Sequence, residues 1–262
     1  AVTNARVITP TGRVDGGVQI EDGRITAVGS TVDGTGADTV VDAGGLTVLP
    51  GLIDLHGDEI EKHLMPRAGA RIDTDMALLS ADRESLAAGI TTKYHAVSFK
   101  HEPASGRTPD LAAELTMAVS AADALLADHR VHIRCEVTQA DAVAAAIDHI
   151  DRAVVDLVSV MSHIPGKGQF EDVDAFLAYY ENSTNHTLEE AHAYIAERTA
   201  TPMAAIRERV DRVIAHAQAA GIVTASHDDE SPDEVERLHA AGVSISEYPI
   251  TMATAARAHE LG

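Results

Sequence analysis

Five residues of metal-binding type follow four separate apolar segments of the sequence. His56 and Asp58 follow VLPGLIDL, Glu136 ends VHIRCE, His163 ends VSVMSH and His227 ends IVTASH. Imidazole nitrogens and carboxylate oxygens suit zinc, iron, manganese or nickel. Because residues at i and i+2 of a strand share a face, His56 and Asp58 would point in the same direction. The pattern predicts a site for two divalent ions with a carboxylate bridge.

Each of these residues also has a purely structural interpretation. His56 and Asp58 could lie in an exposed loop, and Glu136 could cap a neighbouring helix, because a carboxylate after an apolar run needs a partner. His163 and His227 could be hydrogen-bonded structural residues. These interpretations do not explain why four segments end in the same few ligand types, whereas a shared metal site does.

Helices and strands are predicted to alternate between these residues. Apolar runs of strand length recur six times from Leu46 to residue 250, separated by stretches of helical periodicity, two of which span residues 109–127 and 173–220. Such alternation indicates a parallel sheet buried on both faces. The candidate ligands lie at the C-terminal ends of different strands, as in barrel enzymes, and the glycine-rich loop typical of an open sheet is missing from the sequence. We therefore predict an α/β fold of the (β/α)8 TIM-barrel type.

The first 49 residues differ from the rest and are assigned to a separate small β-sandwich-like subdomain, residues 1–49. Short β-branched segments alternate there with Gly, Asp and Pro, and Asp22-Gly23 between VQI and RITAV is a strong hairpin signal. The barrel would occupy residues 50–262. About six βα units are counted where closure needs about eight, so we expect a barrel that is incomplete at its C-terminus.

The composition favours a globular protein of the cytoplasm. The formal net charge is −21, with 20 Lys and Arg against 41 Asp and Glu, which argues against a nucleic-acid-binding protein because such proteins carry clustered cations. No apolar run approaches a membrane span, and the N-terminus lacks the segments of a signal peptide. The single cysteine, Cys135, excludes an internal disulfide. The sequence leaves the oligomeric state open, a homo-oligomer included.

The motifs resemble those of the amidohydrolase superfamily and, within it, of a diphosphatase branch from phosphonate catabolism in the carbon–phosphorus lyase pathway. The segments that carry the resemblance include LPGLIDLHGDEIEKHLMPR, HIRCE, VSVMSHIPGKGQF, TASHDDES and SEYPITMATAARAHELG. The resemblance implies hydrolysis of a ribose 5-triphosphate bearing a 1-phosphonate, with release of pyrophosphate. It also implies a pair of divalent ions, zinc foremost, bridged by Glu136. The implied ligands are His56, Asp58, Glu136, His163 and His227. Most members carry a further late Asp, and this sequence ends before such a residue.

The expected chemistry is attack by a water that two metal ions activate and whose pKa they lower. Asp58 and His227 are the candidate catalytic residues. Attack at the α-phosphorus would expel pyrophosphate, whose growing negative charge needs cations. We predict that Lys167, Arg67 and Arg134 bind the substrate, because few other cations lie near predicted strand ends. Each of the three could instead be a surface charge.

Two other functions are compatible with the same residues. Hydrolysis of a cyclic amide, or deamination, is commoner in the superfamily and would differ only in the substrate pocket. A barrel without catalysis, serving as a partner in a multi-protein pathway, is the second alternative. Further histidines near the predicted rim could contact substrate, namely His63, His95 and His101. The others are interpreted as surface or packing residues, with His129 at a helix end and His132 inside a strand.

Overall fold

Two compact units make up the described part of the chain. The structure is a computed structural model that describes residues 1–67, 69–102, 105–164, 177 and 187–262. Its units are Ala1–Leu52 and Ile53–Gly262. The boundary predicted after residue 49 lies just before the division between them.

The first unit is a small sheet with the strand order β3-β2-β1-β4, and β5 also pairs with β1. Asp22 and Gly23 connect β2 to β3 with φ values of 49° and 73°, as expected for the predicted hairpin turn. Ala5, Val7 and Val18 form its buried core. The strands are β1 (Val2–Thr9), β2 (Gly12–Glu21), β3 (Arg24–Gly29), β4 (Val41–Asp42) and β5 (Thr47–Val48).

The second unit is built on a six-stranded sheet. Its strands are β6 (Leu52–Gly57), β7 (Ile90–Phe99), β8 (Asp128–Glu136), β9 (Leu157–Met161), β10 (Val223–His227) and β11 (Ile245–Glu247). The strands lie side by side in chain order, and β7 to β11 pair in parallel. His56 on one edge strand and Glu247 on the other lie 3.2 Å apart, so the sheet is strongly curled. The predicted α/β fold with a parallel sheet is confirmed, and the sheet curls as in part of a barrel.

Helices connect the strands of the second unit. They are α1 (Ile60–Leu64), α2 (Thr74–Ala87), α3 (Pro109–Ala121), α4 (Ala140–Asp151), α5 (Leu188–Ala200), α6 (Met203–Ala219), α7 (Pro232–Ala240) and α8 (Met252–Leu261). Side chains cap several of these helices. The hydroxyls of Thr108 and Ser231, for example, accept hydrogen bonds from backbone N–H groups at the starts of α3 and α7. Among the described helices, none combines the length and apolar character needed to cross a membrane.

The predicted helix ends are wrong in two places. The helix expected to reach residue 127 ends at Ala121, because Ala122 is extended and the N–H groups of Leu126 and Ala127 donate to Asp82 instead. The region expected to be helical from 173 to 220 lies partly outside the described residues. Its described part is two helices that break at Pro202, which cannot continue a helix because it lacks an N–H donor.

The two faces of strand β8 have opposite character. Val131, Ile133 and Cys135 are fully buried in the apolar core between the sheet and the helices. The alternate residues of the strand point to the concave side of the sheet. There Arg134 and Glu136 contact side chains from other strands. The alternation of side chains along β8 thus places apolar packing residues on one face of the strand and polar residues on the other.

A buried chain of polar side chains joins the sheet to α2. Asp82 accepts hydrogen bonds from the N–H groups of Leu126 and Ala127 and from His129 Nε2, at 2.9–3.0 Å. His129 Nδ1 in turn lies within hydrogen-bond distance of His95 Nε2, at 2.7 Å. Burial lowers the pKa of His95 to about 3. His95, considered above as a substrate contact, is thus a neutral structural residue here, and His129 lies in β8 rather than at a helix end.

The neutral His95 should make the stability depend on pH. The unfolded ring binds a proton below its ordinary pKa of about 6.5, whereas the folded ring stays neutral down to about pH 3. Unfolding therefore takes up a proton in this window, and the free energy of unfolding falls as the pH is lowered, by about 1 kcal/mol per pH unit. In urea titrations, His95→Gln, whose amide can donate to or accept from His129, should lose stability less steeply than the wild type. Parallel slopes would contradict this assignment.

Candidate metal centre

Three of the predicted histidines meet at the C-terminal rim of the sheet. His56 lies near the end of β6, His227 ends β10 and His163 follows β9. The rings of His56 and His227 have centroids 5.2 Å apart and are nearly parallel, at 17°. The ring of His163 lies 5.8 Å from that of His227, at 78°. The curl of the sheet therefore brings together side chains that are far apart in the sequence.

Glu136 lies against His163 and is fully buried. Its Oε2 accepts from His163 Nδ1 at 2.9 Å and lies 3.3 Å from Arg198 Nη1, while Oε1 accepts from the Thr138 hydroxyl at 2.6 Å. Burial would raise the pKa of Glu136, but His163 and Arg198 hold it well below its usual range. The proton of His163 therefore lies on Nδ1, which leaves the lone pair on Nε2. The bridging role of Glu136 stays a prediction, since its carboxylate is engaged by protein groups here.

Arg198 was not identified from the sequence. It extends from α5, is 2% exposed and also donates to the backbone carbonyls of His163 and His101 at 3.1 and 3.3 Å. Its guanidinium lies over the ring of Tyr194, 4.1 Å from the centroid. An arginine in a polar helix carries no local signal of such a role. His101 itself is exposed, and its Nε2 lies 2.9 Å from Asp141 Oδ2.

Glu247, the last residue of β11, contacts the other two rim histidines. Its Oε2 accepts from His227 Nδ1 at 3.3 Å, and its Oε1 lies 3.2 Å from His56 Nδ1. Burial alone would raise the pKa of Glu247, but its contacts with the two histidines lower it to about 2. Glu247 was not predicted from the sequence, although a carboxylate that ends a strand is the same signal that identified Glu136.

His132 lies on the concave side of the sheet and is fully buried. Its Nδ1 is 2.9 Å from the carbonyl oxygen of Leu55, and its Nε2 is 2.8 Å from Ser159 Oγ. Because a carbonyl oxygen only accepts, Nδ1 donates and Nε2 accepts from the hydroxyl. Burial lowers the pKa of His132 to about 4. Both nitrogens are therefore used within the protein, in agreement with its interpretation as a packing residue.

Asp228 adds a carboxylate to the rim. Its Oδ2 lies 3.8 Å from His163 Nε2 and 3.7 Å from His227 Nε2. Its φ of 58° is uncommon for a residue other than glycine, and its N–H donates to the carbonyl of Glu247 at 2.9 Å. The next residue, Asp229, is buried and accepts hydrogen bonds from two serines. Of this pair, Asp228 faces the rim histidines.

A cavity of about 330 Å³ opens at the rim. Asp58 is exposed there beside His56, as their spacing predicts. Arg134 Nη2 lies 3.2 Å from His227 Nε2, and within the described ranges its Nε is buried without a hydrogen-bond partner. The cavity is lined by His56, Asp58, Arg134, His227, Asp228 and Tyr248.

The three predicted substrate-binding cations differ in their placement. Arg134 lines the cavity. Arg67 is exposed and is not among the lining residues. Lys167 lies outside the described residues.

Gly57, the middle residue of the HGD tripeptide, packs against Lys93. A Cβ at this position would come within 2.2 Å of Lys93 Cε. Lys93 is buried, and its Nζ lies 3.0 Å from Asp54 Oδ2 and also contacts Glu59. A side chain at position 57 would have to displace this ion-paired lysine, which favours glycine there.

Two groups of side chains within the described ranges have ligand atoms within 4.8 Å of one another. The first is His56, His132 and Glu247, and the second is His163, His227 and Asp228. The first fits an ion poorly because both nitrogens of His132 are already used. In the second, Asp228 Oδ2 lies 3.7 and 3.8 Å from the two Nε2 atoms, close to the roughly 3.4 Å between neighbouring ligands of a tetrahedral zinc ion. The donor set of the second group suits a divalent metal once Arg134 Nη2 moves away from His227 Nε2, which it contacts at 3.2 Å.

Known proteins similar to this chain include a diphosphatase, a hydantoinase and a deaminase. The chain is 28% identical over 263 residues to α-D-ribose 1-methylphosphonate 5-triphosphate diphosphatase of Escherichia coli (strain K12), which covers 98% of this chain and 69% of that protein. It is 32% identical over 92 residues to L-hydantoinase of Paenarthrobacter aurescens, which covers 35% of this chain and 18% of that protein. No protein-family model matches the chain.

A similar fold occurs in 5-methylcytosine deaminase from Klebsiella pneumoniae. The TM-score is 0.54 at 16% identity, over 99% of this chain and 62% of the deaminase. The chain thus spans about two thirds of the length of the diphosphatase and of the deaminase. Together these similarities confirm the resemblance that the motifs indicate.

Removal of the charge of Glu136 should destabilise the protein. Glu136→Gln leaves the buried Arg198 without its carboxylate, and breaking a buried ion pair from one side costs about 3–5 kcal/mol. We expect a loss of about 3 kcal/mol in the free energy of unfolding, measured in urea with a chelator present. Adding Arg198→Met should recover part of the loss, because the uncompensated cation is then gone. An unchanged stability in the single variant would contradict the ion pair.

Proposed function

We propose that this chain, a relative of the amidohydrolase superfamily, is the metal-binding barrel of a hydrolase that splits a ribose 5-triphosphate bearing a 1-phosphonate into the 5-phosphate and pyrophosphate. The observation that supports this most is the cavity lined by His56, His227 and two carboxylates, with the ring of His163 beside that of His227. The 28% identity to a diphosphatase over 98% of the chain supports the substrate class. A cytoplasmic location stays a prediction.

Two divalent ions, zinc foremost, would bind at the rim. His163 and His227 would offer their Nε2 atoms, and Asp228 would add a carboxylate oxygen between them. When bound, the ions would activate the attacking water and polarise the phosphorus. The proposed ligands are the five predicted from the sequence, His56, Asp58, Glu136, His163 and His227, together with Asp228.

Asp58 and Arg134 supply the remaining chemistry of the cavity. A carboxylate oxygen of Asp58, exposed beside His56, would accept the proton of the attacking water. As the bond from this water to the α-phosphorus forms, the bond from that phosphorus to the bridging oxygen breaks. Arg134 would donate to phosphate oxygens in charge-assisted hydrogen bonds and stabilise the negative charge on pyrophosphate. Such a cation is needed because the net charge of −21 repels an anionic substrate.

Hydrolysis of a cyclic amide, or deamination, is the second candidate function. It is supported by the partial similarity to L-hydantoinase. The same ligands would serve, and the pocket alone would differ. Arg134 favours the phosphorylated substrate, because a buried guanidinium in the cavity matches an anion better than a neutral ring. The other alternative, a barrel without catalysis that serves as a partner in a multi-protein pathway, would bind no metal.

The activity should depend on metal and on the rim histidines. Purified protein with added zinc or manganese should release pyrophosphate from the triphosphate and leave hydantoin, dihydroorotate and 5-methylcytosine unchanged. A chelator should abolish the activity, and added metal should restore it. His163→Asn and His227→Asn should each lower the rate by at least about 100-fold, the upper end of the cost of losing an outer partner of a metal ligand.

His216→Asn is the matched control for these variants. His216 is a partly exposed histidine of α6 whose Nδ1 lies 2.9 Å from Asp151 Oδ1, so it has a carboxylate partner but does not line the cavity. It should keep full activity. Ring opening or ammonia release without pyrophosphate would favour the second function, and a protein that takes up no zinc would contradict both enzymatic functions.

Arg134 should control affinity for the triphosphate without affecting metal content. Charge-assisted hydrogen bonds contribute about 1.5–3 kcal/mol, so Arg134→Gln should lower kcat/KM for the triphosphate by roughly 10- to 100-fold. The bound zinc, measured by elemental analysis, should stay unchanged. Arg130→Gln is the control, because Arg130 lies at the other end of β8 and pairs with Asp128 and Asp156 on the surface. Equal effects of the two variants would contradict the role of Arg134.

A further inference from the structure

Glu247 contacts two of the proposed metal ligands, His56 and His227, in each case at the Nδ1 atom of the imidazole ring. Its Oε2 accepts from His227 Nδ1 at 3.3 Å. Its Oε1 lies 3.2 Å from His56 Nδ1, an ion-pair contact off the direction of an ideal hydrogen bond. The two rings are nearly parallel, at 17°. Because Nδ1 and Nε2 lie on nearly opposite sides of an imidazole, both Nε2 atoms are directed away from the carboxylate.

The backbone places Glu247 for this contact. In the register between β10 and β11, Glu247 lies opposite His227. The N–H of Asp228 donates to the carbonyl of Glu247 at 2.9 Å, which fixes the end of the short strand. His56 belongs to the opposite edge strand of the sheet. One carboxylate thus joins histidines from the two ends of the curled sheet.

Direct binding of an ion by Glu247 is less consistent with the contacts. Together with His56 and His132 it forms the first group of ligand-type side chains. However, His132 donates to the carbonyl of Leu55 and accepts from Ser159, so it has no lone pair to give. Each oxygen of Glu247 already lies close to an imidazole nitrogen. The carboxylate is therefore placed to orient ligands rather than to be one.

We propose that Glu247 is a positioning residue that holds the Nδ1 atoms of His56 and His227, so that both rings offer Nε2 to the metal ions. This inference rests on the proposed function. Histidines that bind metal usually donate their other N–H to a carboxylate or carbonyl, which fixes the tautomer and the ring orientation. A carboxylate has two oxygens, so a single side chain serves two rings. Its charge also offsets the guanidinium of Arg134, which lies 3.2 Å from His227 Nε2.

The first test requires no metal. In metal-free protein with 15N-labelled histidine, long-range 15N–1H NMR spectra report which ring nitrogen carries the proton, and His56→Asn and His227→Asn assign the two signals. We expect the Nδ1–H tautomer for both rings in the wild type. In Glu247→Gln at least one ring should become a mixture of tautomers, because the amide offers only one acceptor oxygen. Glu102→Gln, which alters a buried carboxylate paired with two cations, should change neither signal.

The second test measures metal binding. In competition with a chromophoric chelator, Glu247→Gln should bind zinc about 10- to 100-fold more weakly than the wild type, and Glu102→Gln should not. The absorption spectrum at saturating cobalt should stay the same, because the direct ligands are unchanged. Glu247→Asp keeps the charge on a shorter side chain and should lose less affinity than Glu247→Gln. It also provides the measurement if the glutamine variant does not fold.

Each alternative to this inference predicts a different experimental result. A changed cobalt spectrum at saturation would overturn the inference in favour of direct ligation by Glu247. Tautomers and zinc affinity equal to those of the wild type would show that Glu247 does not position the rings. A wild-type protein that binds neither zinc nor cobalt would contradict the proposed function, and the metal-positioning role with it. The tautomers would then still show whether the carboxylate holds the two rings.

Discussion

Polar side chains on the concave side of the curled sheet have to pair with one another, and the arrangement of the site follows from this constraint. A charge buried without a partner is costly. Glu136 is accordingly surrounded by an imidazole, a guanidinium and a hydroxyl, and Glu247 by two imidazoles. These carboxylates hold the histidines before any ion binds. The rim is therefore organised by the protein itself, and the metal ions would find their ligands already oriented.

The two sides of the sheet use histidine in different ways. On the helix-facing side, His95 and His129 form a hydrogen-bonded chain that ends on Asp82 and joins the sheet to α2. On the concave side, His132 links a carbonyl of β6 to a serine of β9. At the rim, His163 and His227 keep Nε2 directed toward Asp228. The structural histidines lie within the sheet, whereas the candidate ligands lie at its rim. Position, rather than residue type, therefore distinguishes the two groups.

Much of the fold was predictable because its signals are local. Apolar runs followed by ligand-type residues located β6, β8, β9 and β10 and the side chains at their ends. Contacts that depend on the curl were not predictable. Arg198 comes from a helix far along the chain, and the position of Glu247 opposite His56 depends on how two edge strands approach. The early end of α3 had a similar cause, because Asp82 competes for the backbone N–H groups beyond it.

The contact between Gly57 and Lys93 makes the tolerance of the rim to substitution uneven. Asp58 borders the open cavity, whereas a methyl group at position 57 would meet the side chain of Lys93. The lysine that closes this space is itself held by two carboxylates, so the restriction extends to a strand that carries none of the proposed ligands. Shortening the side chain at position 93 would make room at position 57, so the effects of substitutions at these two positions should depend on one another.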